Sequence, residues 1–255
     1  MSRTFGACAL VLLLLSCLLV TAPARVVGLL LPSGEVIMQG FSGTLWRGEA
    51  GRCLVRTQAG YFHLGALNWR LDPWSLLLFA PRLALESKWG NQAIAASVVL
   101  RGAEDIDLYD LEARLPADLL RQFVPVNLAG VFSLQLESMK LRGGWPAEGA
   151  GRLVWQDAGW NSPGGPVPLG SYALDFAQAP DAALVGEVVT LSGAVAASGS
   201  VRLQGRAYGV DITLSGEGGL DQRLQQALAL VARPVDQGYR IKLDGEFQPP
   251  PGQGG

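Results

Sequence analysis

The sequence predicts a mainly β protein: an antiparallel meandering sheet or sandwich-like domain with a few short helices, preceded by one N-terminal transmembrane helix. Three observations predict it. Apolar and polar residues alternate with period two in one segment after another, glycines punctuate those segments, and residues 4–24 carry no charge. Period-two alternation gives a strand one buried and one wetted face, the habit of antiparallel sheets. Glycine between such runs supplies positive φ at turns and bulges. A helix needs about 20 mainly apolar residues to cross the hydrocarbon layer, and residues 4–24 meet that length.

The alternation is explicit. Leu67, Trp69 and Leu71 share one face while Asn68 and Arg70 share the other. Phe132, Leu134 and Leu136 alternate with Ser133, Gln135 and Glu137, and Val201 and Leu203 with Arg202 and Gln204. Val210, Ile212 and Leu214 alternate with Asp211, Thr213 and Ser215, and Tyr239, Ile241 and Leu243 with Arg240, Lys242 and Asp244. Helical spacing is scarce. In residues 220–233, Leu220, Leu224, Ala227, Leu228 and Val231 form one apolar stripe, which Pro234 ends. Residues 116–123 begin on Pro116, which suits a first helical turn, and residues 73–80 read as a short helix or tight turn. Residues 161–170, with three prolines and three glycines, read as a loop. Strands of like character flank it, so one continuous sheet system is expected rather than two independent domains. The expected organisation is a cytoplasmic tip and anchor over residues 1–25, a β-rich domain over 26–248 and a disordered tail over 249–255.

Two alternatives to an uncleaved anchor stand beside it. Ala22-Pro23-Ala24 imitates a signal-peptide cleavage site, although the uncharged core exceeds the usual h-region and Pro23 fits poorly. Leu-Leu-Ser-Cys ending at Cys17 imitates a lipoprotein signal, although Leu18, Leu19 and Val20 continue the apolar run. Arg3 and the amine precede the segment and Arg25 follows it. A short N-terminal tail with a large domain behind it places the domain outside the cytoplasm, in a Gram-negative periplasm. The expected location is therefore the inner membrane, single-pass, with the N-terminus cytoplasmic.

Composition excludes several classes. Hydrophobic residues make up 49% of the 255 positions and charged residues 16%, which does not suit disorder. A net charge of −2 offers nucleic acid no basic face. One histidine, His63, rules out an H-E-x-x-H zinc helix, and it has neither a nucleophile elbow nor an orienting acid in sequence. Of the three cysteines, Cys8 and Cys17 lie in the apolar run, leaving Cys53 alone and without a Cys-x-x-Cys pair. Neither Lys88, Lys140 nor Lys242 follows a glycine, so no phosphate loop exists, and Gly216-Glu217-Gly218-Gly219 lacks the dinucleotide spacing. Glu104, Asp105, Asp107 and Asp110 are interleaved with Ile106, Leu108 and Leu111, which reads as a solvated strand edge rather than a calcium loop. No catalytic residue, cofactor, metal or small-molecule substrate is expected. Among the seven tryptophans, Trp46 in the glycine-rich turn Gly43-Thr44-Leu45-Trp46-Arg47 is the best candidate partner contact, with Gly43 and Arg47 beside it, although a core role is the better reading of its type.

Ser42-Gly43-Thr44-Leu45-Trp46-Arg47-Gly48, then Leu64-Gly65-Ala66-Leu67-Asn68-Trp69-Arg70-Leu71, then Pro73 with Leu76-Leu77, resembles the type II secretion system protein N family. That family combines an S-G-T-x-W-x-G box, an L-G-x-L-x-W-x-L strand and a P-x-x-L-L turn behind an N-terminal anchor. Leu115-Pro116 with Leu128-Ala129-Gly130, Gly151-Arg152-Leu153-Val154-Trp155 with Ala158, and the final Gly238-Tyr239-Arg240-Ile241-Lys242-Leu243-Asp244-Gly245 continue the likeness in order, as far as Phe247. The resemblance implies a non-enzymatic inner-membrane subunit of the machine that exports folded proteins across the outer membrane. It implies a periplasmic β-rich domain and power from a separate ATPase. Expected partners are other inner-membrane type II secretion subunits, with the secretin as a further candidate, and the membrane itself. The alternative is a lipid-handling groove of the AsmA-like kind, which a long continuous apolar inner face would favour over a filled core.

Overall fold

The computed structural model describes residues 10, 13–14, 17–31, 34–57, 60–102, 104–122, 126–236 and 238–247. The expected tail and much of the apolar N-terminal segment lie outside the described residues; of that segment, residues 10, 13–14 and 17–20 are helical. No helix among the described residues is long and apolar enough to cross a membrane. The chain divides into two compact units, Met1–Gly90 and Asn91–Gly255.

In the first unit α1 (Arg25–Leu30) precedes β1 (Val36–Gly43), β2 (Arg47–Thr57), β3 (Gly60–Leu71), α2 (Pro73–Leu77) and β4 (Arg82–Trp89). The four strands pair antiparallel in chain order. Leu67 and Trp69 are buried and Asn68 and Arg70 exposed, as the alternation predicts. Ala24, Ala50 and Trp69 form the core, with Val27, Met38, Phe41 and Leu85 packed against it. Phe41 meets Trp69 edge to face, centroids 6.3 Å apart.

The second unit holds β5 (Gln92–Leu100), β6 (Ile106–Pro116), a 3-10 turn (Ala117–Gln122), β7 (Leu128–Arg142), β8 (Trp145–Ser162), β9 (Gly165–Gln178), β10 (Leu184–Ser192), β11 (Val195–Gln204), β12 (Ala207–Gly216), α3 (Gln222–Leu228), β13 (Arg233–Val235) and β14 (Gly238–Glu246). Neighbours in sequence pair antiparallel through β12; β14 then pairs with β12, leaving β13 outermost. Each unit is thus one meandering sheet, and the sandwich-like alternative, two sheets face to face, is not formed within either. Short hairpin connections explain this, because each strand folds straight back on its predecessor.

Register sorts the second unit into two faces. Glu112, Gln135, Arg152, Asp175, Glu187, Ser200, Asp211 and Lys242 follow one another as cross-strand partners from β6 to β14. One residue along, the partners are Ala113, Leu134, Leu153, Leu174, Val188, Gly199, Ile212 and Ile241. A polar row and an apolar row therefore run side by side across the strands, on opposite faces. The apolar row is filled at one end, where α3 brings Leu220, Leu224 and Leu228 onto Val195, with Trp160, Leu169, Leu214, Tyr239 and Ile241 around them. Further along, Leu134, Leu153, Leu174 and Val188 are only half-buried.

Three expectations change. Residues 161–170, read as a loop that does not divide the sheet, are mostly strand at the tip of the β8–β9 hairpin: Ser162 and Gly165 are paired, and only Pro163 and Gly164 turn. Prolines at 166 and 168 are accommodated because β9 pairs with β10 only from Ser171 onward, which leaves this stretch bonded to β8 alone. The helix in residues 220–233 is shorter, closing at Leu228, and Val231 is exposed. The acidic cluster is not a solvated edge, since β6 lies between β5 and β7. Asp107 is 2% exposed and is held by Arg101 at 3.0 Å and Arg142 at 2.7 Å. Burial pushes its carboxyl up, but hydrogen bonds and charge from Arg142 and Arg101 outweigh that and hold it below the usual carboxylate range. Asp105 accepts from the Gly143 amide at 3.0 Å, and the Glu104 carbonyl from Gly144 at 3.0 Å, so the cluster ties the β5–β6 connection to the β7–β8 turn. Asp110 takes a left-handed φ of 48° where pairing with β5 slips by one residue, a bulge that an aspartate tolerates.

Candidate functional site

The Ser42–Gly48 box is the turn that joins β1 to β2. Thr44 donates its amide to the Arg47 carbonyl at 2.8 Å, and the Arg47 amide donates to Thr44 Oγ1 at 3.2 Å, which closes the turn. Gly43 has φ +81°, and a Cβ there would lie 2.5 Å from the Arg47 carbonyl oxygen. Gly48 is required by close approach: a Cβ would lie 2.4 Å from Trp69 Cζ2. The Trp69 indole in turn donates to the Leu45 carbonyl at 3.0 Å, locking turn and strand together. These contacts account for the spacing of the box and of the strand that follows it.

The same turn seizes the chain as it leaves the apolar N-terminal segment. Trp46 Nε1 donates to the Leu19 carbonyl at 2.9 Å. Leu45 donates its amide to Ala22 at 2.8 Å, Ala24 donates to Gly43 at 3.1 Å, and Pro23 bridges to Thr44. Carbonyls at the end of a helix lack intrahelical partners, and Trp46 supplies one from a strand turn far along the chain. Val27 of α1 then packs on the sheet, while Phe41 lies close beneath Gly28. Trp46 is half-buried and Arg47 and Gly43 are exposed, so the three candidate residues are brought to one place. The sequence signals the box; it carries no signal that residues 19–24 are what the box holds.

Other candidates lie elsewhere. His63 is exposed on β3 and stacks on Trp89, centroids 6.1 Å apart. Cys53 is buried in β2, and burial pushes its thiol up, away from the reactive thiolate. Among the described residues no three His, Cys, Asp or Glu side chains gather as a metal site. Tyr172, which stands in the aromatic row Phe132–Trp155–Tyr172, has its phenol pushed up to about 12 by burial and donates to the Val195 carbonyl at 2.8 Å. It works as a strut, not as an acid. A cavity of about 870 Å³ lies against β6–β10 and is rimmed by Glu112, Glu137, Asp175 and Glu187 with Arg152.

The family model described as Type II secretion system (T2SS), protein N, matches residues 35–242. The chain belongs to the type II secretion system protein N family. A relative named Type II secretion system protein N from Aeromonas hydrophila is 30% identical over 246 residues, covering 90% of this chain and 93% of its own. A second of that name, from Vibrio cholerae, is 28% identical over 254 residues, covering 92% of this chain and 94% of its own. No solved structure matches. The family match begins just before β1 and ends within β14, so the box, the Trp69 strand and the meander as far as residue 242 fall inside it.

Proposed function

We propose that this chain is a component of a type II secretion system, held at the inner membrane by residues 4–24 and acting there as a non-enzymatic scaffold for neighbouring inner-membrane subunits. The carrying observation is the family membership over residues 35–242. The docking of residues 19–24 on the Gly43–Arg47 turn supports the anchor, because it joins an apolar segment rigidly to the sheet. Tethering turns partner binding into a near-intramolecular event, so modest contacts suffice. Trp46, Gly43 and Arg47 stand at this junction as the contact region. The domain lies on the periplasmic side in this reading, and the secretin is a further partner candidate.

The test is secretion of a reporter exoprotein after deletion of the gene, with rescue by the wild-type chain and by Trp46→Ala. Rescue by the wild type with co-purification of secretion subunits from detergent is expected, with weaker rescue by Trp46→Ala. Unchanged secretion together with recovery of no secretion subunit would sink the proposal. One observation favours a second reading, an envelope protein that handles lipid: the apolar row of β6–β14 is continuous and half-buried rather than filled over Leu134, Leu153, Leu174 and Val188. Acyl chains retained on the purified chain and identified by mass spectrometry would support it.

A further inference from the structure

We propose that the turn between β3 and β4 is a membrane wedge, which inserts Trp74, Leu77, Leu78 and Phe79 into the interfacial layer of the bilayer that receives residues 4–24. The inference rests on the anchor reading above and extends it to a second membrane contact.

The exposure is large and localised. Trp74 is 75% exposed, Leu77 70%, Leu78 78% and Phe79 92%. Contiguous apolar exposure of this kind marks an interaction surface, and no charge interrupts the run between Asp72 and Arg82. The backbone beneath it is ordered. Asp72 accepts from the Trp74 amide at 3.1 Å, Ser75 Oγ accepts from the Arg82 amide at 2.8 Å, and the amides of Leu78, Phe79 and Ala80 donate to Leu76 and Ser75 carbonyls. A turn whose polar groups are satisfied internally can enter a low-dielectric layer without exposing unpaired amides. Phe79 adopts φ 53°, a left-handed conformation that bulky residues avoid, and its ring is thereby turned out to solvent. Strain that exposes an aromatic ring is explained when the ring has an apolar destination.

Position identifies the bilayer as the occupant. In an antiparallel meander the β1–β2 and β3–β4 connections lie at the same end of the strands. Leu71, the last residue of β3, donates its amide to the Trp46 carbonyl at 2.8 Å, and the Trp46 indole holds Leu19. One residue pair thus links the wedge to the end of the apolar segment, where Leu18, Leu19 and Val20 are also exposed. Charge agrees. Arg47 and Arg70 are direct cross-strand partners at this end, both exposed, and neither forms an ion pair among the described residues. Glu49 and Glu86 stand two residues along on the same face, so this rim carries both signs, and the two arginines are its charges nearest the turn, placed to meet phospholipid headgroups.

The test uses the full chain, with Cys8 and Cys17 changed to Ser and Cys53 to Ala. Single cysteines are placed at Phe79→Cys, at Leu14→Cys in the apolar segment and at Arg56→Cys toward the opposite end of β2. Each is labelled with a polarity-sensitive fluorophore and reconstituted into phosphatidylethanolamine–phosphatidylglycerol vesicles. The expected result is a blue-shifted probe at 79, quenched several-fold more by lipids carrying a spin label near the headgroup than is the probe at 56. Adding Leu77→Asp and Leu78→Asp should return the probe at 79 to water. A probe at 79 that stays aqueous while the probe at 14 is buried overturns the wedge and leaves the anchor standing. Probes at 14 and 79 both in water overturn the two together. A buried probe at 79 with an aqueous probe at 14 overturns the anchor and, with it, the placing of the wedge in the bilayer that receives residues 4–24.

Discussion

Gly48 shows how a single missing methyl group organises the junction. Its Cα faces the Trp69 ring so closely that any side chain would sit 2.4 Å from Cζ2 and 2.8 Å from the Thr44 carbonyl oxygen. Trp69 cannot withdraw, because its indole is tied to Leu45 and its ring packs on Phe41. Gly48→Ala should therefore lower stability by about 1–3 kcal/mol, the usual range for forcing atoms into a packed core. Thermal unfolding of the purified chain measures it, and an unchanged Tm would show that the turn is looser than described. Asp107 makes the opposite point, that a charge inside a sheet survives when two guanidinium groups hold it. Because its folded pKa is depressed, its contribution is complete above the unfolded value of about 3.9 and is lost as pH falls through the lower folded value. Asp107→Asn should cost about 1–2 kcal/mol at neutral pH, discounted because Arg101 and Arg142 stay half in water, and should flatten the acid limb of a stability–pH curve. An unaltered acid limb would assign that limb to other carboxylates. The box was readable in sequence as a glycine-rich turn, whereas the packing of Gly48 on Trp69 was not, because the two residues meet only across paired strands. The burial of Asp107 was not, because its two arginine partners lie on another loop and another strand.

At the scale of elements, strands were more legible than helices. A period-two run declares both its strand and its buried face: β3 and β11 follow their alternation, β7 follows it over residues 134–137, and β12 is a strand whose residues 210–215 are all half-buried. Leu243 departs from it, since β14 is covered by α3 only near Tyr239 and Ile241. The stripe from Leu220 to Val231 overstated α3 for a related reason. Asp221 starts the helix by accepting from the Arg223 amide at 2.8 Å, but once Leu220, Leu224 and Leu228 are packed there is no further surface for Val231. The chain turns instead into β13, whose Pro234 is tolerated on an edge strand. Leu224→Ala should thus destabilise the second unit by about 2–4 kcal/mol through lost burial and an unfilled cavity. Val231→Ala, at an exposed position, should leave stability nearly unchanged. Urea titration of both variants checks the pair, and equal effects would refute the boundary placed at Leu228. Residues 73–80 were legible as a short helix but not as an exposed one. Their one available signal is the run Leu76–Leu77–Leu78–Phe79, more consecutive apolar residues than one short helical turn can bury.

At the scale of the molecule, the meander followed from the sequence because each connection is short enough to return the chain beside its last strand. The exchange of β13 and β14 was hidden, since it depends on α3 carrying the chain past one strand position before β14 returns to β12. What the full register adds is the side-by-side pair of rows, one polar and one apolar, running from β6 to β14. Arg152 and Leu153 are adjacent in sequence yet belong to opposite rows, Arg152 between Gln135 and Asp175 and Leu153 between Leu134 and Leu174. Leu153→Asp would put a carboxylate between two leucines, where nothing donates to it, and should destabilise by about 2–4 kcal/mol, with loss of cooperative unfolding in urea. Arg152→Asp should cost far less, because the site is exposed and its ion pair with Asp175 at 3.3 Å is a surface pair. The half-burial of Leu153 makes this comparison discriminating for function as well as fold. If the apolar row faces only water and protein, the Leu153→Asp penalty is the same in detergent-extracted and lipid-depleted protein. If acyl chains cover the row, the penalty grows when lipid is present, because the charge then displaces a bound chain as well as disturbing the sheet.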